Sequence, residues 1–175
     1  MTVYERWLGP ALRELAPECQ AIHGAYGPFH GEMTVTYGKV PLAGRLLRWL
    51  GFPQACEGAP LTFGKQDVLG GERWVRIVAD KEMVSLLTTT GKHLDEVLGP
   101  MRTTSVARVE NSCLKLVVAK ATFAKVPVPR VLLGRVEMRE WAEGGLYHFC
   151  VDVNMPFVGF KVLQYRGWLR PETDA

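Results

Sequence analysis

From Leu61 onward the chain is a succession of short segments with period-two patterning. They are broken at hairpin spacing, and no helix long enough to cross over a sheet lies between them. Arg135 to Glu143 and Leu146 to Asn154 flank Gly144-Gly145, two residues that take the positive φ angles of a tight hairpin turn without strain. Thr103 to Glu110 and Cys113 to Thr122 flank Asn111 and Ser112 in the same way. Arg73 to Ala79 alternates Val75, Ile77 and Ala79 against Trp74, Arg76 and Val78. Glu82 to Thr90 is β-branched, Phe160 to Leu169 closes the set, and Leu61 to Leu69 is a further candidate. Without crossover helices, consecutive strands must pair antiparallel. Eight or nine such strands in an open sheet would leave unpaired edges, so they close into a barrel or fold over into a sandwich. The expected class is mainly β (α+β), a strongly curved antiparallel sheet or barrel.

Two short helices are expected before it. Val3 to Leu15 carries Trp7, Leu8, Ala11, Leu12 and Leu15 at three- and four-residue steps, with Pro10 distorting its first turns and Pro17 just past its end. Leu42 to Leu50 is stopped by Gly51 and Pro53. Between them lie a glycine-rich loop at Ala25 to Gly31 and a strand at Glu32 to Tyr37. A single domain over 1–175 follows: a helical part at 1–55, a sheet at 57–170, and a frayed polar tail at 171–175.

Composition narrows the function class. Hydrophobic residues make up 47% and charged residues 22%, enough to bury a core. A net charge of +3 is too small to point to nucleic acid. The first ten residues lack a basic start and long apolar run, and no apolar stretch approaches the ~20 residues of a spanning helix. A cytoplasmic chain with four reduced thiols is expected, since Cys19, Cys56, Cys113 and Cys150 fit no metal-site spacing. Phosphate loops, dinucleotide fingerprints and nucleophile elbows are absent, so no cofactor is implied. Asp95 and Glu96 read as a solvated turn. Glu137 and Glu140 fall on opposite strand faces, a poor acid/base pair. His23 and His30 flank the glycine loop and read as capping or packing residues.

The strand at Leu146 to Asn154 has two unlike faces. Tyr147, Phe149, Val151 and Val153 share one; His148, Cys150, Asp152 and Asn154 share the other. Either the apolar face is core and the polar one meets solvent, or the polar face lines a wet cavity with His148 and Asp152 as orienting groups. Arg166 beside Trp168 can hold an anionic head group over an aromatic wall. Trp74 with Arg76 repeats that i, i+2 pairing, and the two pairs are candidates for one ladder.

Several segments carry a family resemblance in their order. Pro17, His23-Gly24 and Phe29-x-Gly31 come first. Pro41-Leu42-Ala43, Arg45-Leu46-Leu47 and Leu50-Gly51-Phe52-Pro53 follow. Then come Gly71-Glu72-Arg73-Trp74 with Arg76, Pro127-x-Pro129, Val136-Glu137, Gly159-Phe160, and Tyr165-Arg166-Gly167-Trp168-Leu169. This order resembles the bacterial domain-of-unknown-function 4166 family over nearly the whole chain. Members of that family occur alone or fused behind NAD(P)-binding, saccharopine-dehydrogenase-like or epimerase-like domains. The resemblance implies a bacterial, cytoplasmic, β-rich module and hands over no catalytic residues.

Three functions remain open. A barrel of this strand number has room for one small apolar or anionic-headed ligand. Phe123, Trp141, Phe149, Phe157 and Phe160 would line it, and Arg76 or Arg166 would hold a carboxylate or phosphate. A cofactor-independent isomerase, cyclase or hydrolase would instead use His148, Asp152, Tyr147 or Tyr165 as acid or base. An accessory domain would dock on a dehydrogenase-like partner, and a homodimer is compatible with each.

Overall fold

In the computed structural model, which describes residues 1–38, 43–49, 51–154 and 161–171, the period-two segments become the walls of one closed ring. In chain order the strands are β1 (Phe29–Tyr37), β2 (Cys56–Val68), β3 (Gly71–Val78), β4 (Lys81–Thr90), β5 (His93–Leu98), β6 (Met101–Glu110), β7 (Cys113–Phe123), β8 (Val126–Pro127), β9 (Arg135–Glu143), β10 (Leu146–Asn154) and β11 (Lys161–Pro171). Each long strand pairs antiparallel with its neighbours in chain order. β9 follows β7 across the two-residue β8, which adds only to the end of β7. The ring closes where β1 meets β11, from Phe29 opposite Pro171 to Tyr37 opposite Leu163. Ten strands is an even number, which an up-and-down ring needs if its first and last strands are also to be antiparallel.

The expected eight or nine strands fall short. β5 was hidden because Asp95 and Glu96 resemble a turn, yet both lie mid-strand. Asp95 is buried beneath Arg102 and Thr104, and Glu96 faces inward. The turns behave as read: Asn111 and Ser112 both have positive φ, as do Gly144 and Gly145.

The first helix is shorter than its periodicity suggests. α1 (Val3–Leu8) ends at Gly9, whose φ is positive, and a 3-10 turn at Gly9–Glu14 absorbs Pro10. Pro17 does not stop a helix but starts one. α2 (Pro17–Gly24) has it in the first turn, where the missing N–H leaves no hydrogen bond unmade. α3 (Ala43–Trp49) matches the second expected helix, and α4 (Arg130–Leu133) is a single turn. The expected frayed tail, beyond Pro171, lies outside the described residues.

These helices close the two ends of the ring differently. α1 and α2 sit under the end where β1 begins, and we call this the floor. Trp7 Nε1 donates to the carbonyl of Lys92 in the β4–β5 turn, and the Ala16 amide donates to Ser112 in the β6–β7 turn. α3 follows β1 at the opposite end, the mouth, where Phe52 packs near Tyr165 and Trp49 near Phe123. The inner face is apolar, with Met33, Leu61, Phe63, Leu87, Leu94, Leu116, Phe149 and Leu163 all buried. Charged residues such as Arg102, Arg108, Lys115 and Arg139 point outward, the reverse of a lipid-embedded barrel. Among the described residues no helix is long and apolar enough to cross a membrane.

Candidate ligand site inside the barrel

Inward side chains from the ring leave a cavity of about 250 Å³. This is slightly below the roughly 300 Å³ at which drug-sized ligand pockets begin, so it suits a smaller molecule. Its wall is aliphatic and aromatic, with Met33, Leu61, Phe63, Leu116, Phe149 and Leu163 among the lining residues; Leu47 and Phe52 line it from the mouth. The polar exceptions are few, and each has a definite position.

Among the described residues that line it, Arg76 on β3 is the one cation. Its Nη1 donates to Ser85 Oγ at 3.0 Å, and its Nη2 lies 3.5 Å from Glu96 Oε1. The guanidinium rests over Trp74 at 5.1 Å and over Phe63 at 5.6 Å from the ring centroids. Arg76 therefore enters the cavity already balanced by Glu96 and held flat by two rings. The fork has five N–H donors, more than Ser85 and Glu96 can use.

The floor holds a second, deeper polar set, and every member of it ties a helix to the ring. Glu72 on β3 accepts from the Val3 amide and from Trp74 Nε1, both at 2.7 Å, so it satisfies a free amide at the buried start of α1. Lys65 on β2 donates to the carbonyls of Ile22 and His23 at 2.7 and 3.0 Å, at the negative end of α2. Glu140 on β9 accepts from His23 Nε2, with both side chains fully buried. Tyr4 stacks on His23 with ring centroids 3.8 Å apart, and Tyr147 meets His23 edge-on.

Burial, reinforced by the negative charge of Glu140, raises Tyr4 and Tyr147 well above the usual phenol range. Burial likewise pushes Tyr165 up to about 12. The cavity tyrosines thus stay neutral at ordinary pH. Lys65 is lowered to about 8 by desolvation, against the pull of Glu72 and Glu140.

The Lys65 shift makes a pH prediction. Between about pH 8 and the ordinary lysine value of 10.5, the unfolded chain holds the Lys65 proton while the folded chain sheds it. The unfolded state binds more protons there, so the contribution of Lys65 to stability rises with pH through that window. Urea melts at pH 7, 8.5 and 10 should show wild type gaining on Lys65→Met as pH rises. A pH-independent difference between the two would show that Lys65 keeps an ordinary affinity for its proton.

The structure divides the sequence-derived site residues between two faces. Trp74, Arg76, Tyr147, Phe149 and Tyr165 line the cavity. His148, Asp152, Trp141, Arg166 and Trp168 do not. They lie along an outer groove or beside it, where Trp141 stacks on His148 and Asp152 accepts from Gln164 and pairs with Lys161. The polar face of β10 is thus the outer one: His148 and Cys150 line the outer groove and not the barrel interior. The two Trp/Arg pairs form no common ladder, because β3 and β11 are not neighbours and the pairs point to opposite sides. Phe123 meets Trp49 at the mouth, while Phe157 and Phe160 lie outside the described residues. Sequence reasoning missed Tyr4, Lys65, Glu72, Glu96 and the His23–Glu140 pair.

None of the four cysteines is in a disulfide. Cys19 is buried at the floor, and burial pushes its thiol up to about 12, which leaves it unreactive. No group of three or more metal-ligating side chains occurs among the described residues.

Fold and cavity together define a class: a closed up-and-down barrel, plugged by helices at one end, with a mainly apolar cavity whose wall carries the Arg76–Glu96 pair. The chain belongs to the family described as Domain of unknown function (DUF4166), whose model matches residues 15–169. No curated protein and no solved structure matches it.

Proposed function

We propose that this chain is a binding module that encloses one small, mainly apolar molecule and meets its single oxygen function with Arg76. The Arg76–Glu96 pair carries the reading. Placing two charges in an apolar wall costs desolvation that their mutual attraction only partly returns, and unlike the floor charges this pair ties no helix to the ring. A ligand-facing role accounts for it. Because Glu96 already balances Arg76, the site favours a neutral acceptor such as a ketone, ester or alcohol over a carboxylate. Acid/base catalysis has less support, since burial moves the titration of the cavity tyrosines further above neutral pH.

The test is titration with decanol, 2-decanone and decanoate, read by the fluorescence of Trp74 beneath Arg76. Wild type is expected to bind the two neutral probes more tightly than decanoate. Glu96→Gln should reverse that order by raising decanoate affinity about tenfold, one favourable charge interaction of about 1.4 kcal/mol. Arg76→Met should weaken all three. If no probe binds, or if binding ignores both substitutions, the proposal fails.

A further inference from the structure

Eight of the 21 basic residues, and none of the 18 acidic ones, fall within residues 33–56 and 111–136. The rest of the chain therefore carries 13 basic residues against 18 acidic. A nearly neutral protein is thus divided into a strongly basic part and an acidic remainder. The fold brings the two basic segments together. The first contains α3, and the second runs from β7 through β8 to α4. Trp49 of α3 lies 6.2 Å from the Phe123 ring at the end of β7; Phe123 pairs with Val126 of β8, and α4 packs back on β7.

The mouth also carries the exposed apolar side chains of these segments. Trp49 is 69% exposed, Val126 67%, Val131 60% and Leu132 61%. Arg45, Arg48, Lys120, Lys125 and Arg130 on the same segments are all exposed, and none makes an ion pair among the described residues. Lys115 lies at the floor end of β7 and pairs with Glu110; Arg135 pairs with Glu137.

We infer that the side of the mouth formed by α3 and the β7–β8–α4 segment is a docking face for the surface of an anionic lipid bilayer. Apolar side chains with an exposed Trp among cations suit the boundary between head groups and acyl chains, where Trp partitions and Lys and Arg meet lipid phosphates. A second copy of this chain fits poorly, because an isologous contact would set the cations of one copy against those of the other. The face borders the cavity mouth on the side lined by Leu47 and Phe52, so a docked barrel would set its opening beside the membrane.

The test is flotation with vesicles of phosphatidylcholine alone and of phosphatidylcholine with phosphatidylglycerol, at low and at physiological salt. Binding is expected to the anionic vesicles only, and to fall with added salt. At about 1 kcal/mol per basic residue near the surface, Lys125→Gln with Arg130→Gln should weaken binding about 30-fold. Trp49→Ala should weaken it further. Arg6→Gln with Arg13→Gln, at the floor end, should leave it unchanged, and urea melts show whether each variant is folded. Failure of the folded protein to float with anionic vesicles overturns the inference. So does equal binding to neutral vesicles, or equal loss from the floor-end variant. The readout is vesicle binding without added ligand, so its failure leaves the cavity reading untouched.

Discussion

Replacing Gly31 by alanine is expected to open the barrel. Gly31 sits on β1 opposite Leu169 of β11, at the joint that closes the ring. A Cβ there would stand 1.8 Å from the Trp168 carbonyl oxygen, and that atom is backbone, which cannot rotate aside. Gly167, across the same joint, is equally confined: its Cβ would come within 2.2 Å of the Glu32 oxygen and 2.8 Å of the Phe149 ring. Both glycines are required by closeness of approach. Either strand must shift to admit a methyl group, and the shift disturbs the pairing of β1 with β11 that closes the ring. The expected cost exceeds about 4 kcal/mol, a large part of the total stability of such a domain. Gly64→Ala is the matched control, since nothing lies within 4 Å of its Cβ position on β2. Gly31→Ala should give insoluble or molten protein while Gly64→Ala melts near wild type. A cooperative melt for Gly31→Ala within about 1 kcal/mol of wild type would show that the joint yields.

The second large effect is expected at the floor. Glu140→Ala leaves His23 sealed in the core without its partner, and breaking such a buried pair costs about 3–5 kcal/mol. Exchanging both members for apolar residues of similar size, His23→Met with Glu140→Leu, should recover most of that loss, because no polar group is then left stranded. Urea melts of the two single variants and the double decide the matter. Were Glu140→Ala to cost under about 1 kcal/mol, the pair would not anchor α2. Were the double variant no better than the worse single, the pair would supply something beyond mutual satisfaction.

The β9–β10 hairpin was legible residue for residue, because two glycines separate two clean alternations. The inward face of β3 was not. Its β-branched residues Val75 and Ile77 suggest a core face, yet Ile77 is 39% exposed while Trp74 is buried and Arg76 faces the cavity. Period two identifies a strand and its two sides; which side is inner depends on what the other nine strands present. The same limit hid Glu140, which in the run Arg135 to Glu143 looks like any solvated carboxylate. Only α2, disguised by Pro17 at its start, explains why that carboxylate is buried. Arg76 and Arg166 share a local pattern with tryptophan and end on opposite faces for this reason.

The closing joint also orders events in time. Neighbouring strands in this ring are near neighbours along the chain and can pair as soon as their turns form, apart from β1 with β11, which joins Phe29 to Pro171. Pairing across so long a loop is the slow kind of contact. Until it forms there is a curled ribbon with two raw edges and no interior at all. Occupancy of the cavity is therefore a report on the completed circle, and a ligand that favours the closed state would act as the clasp of its own container.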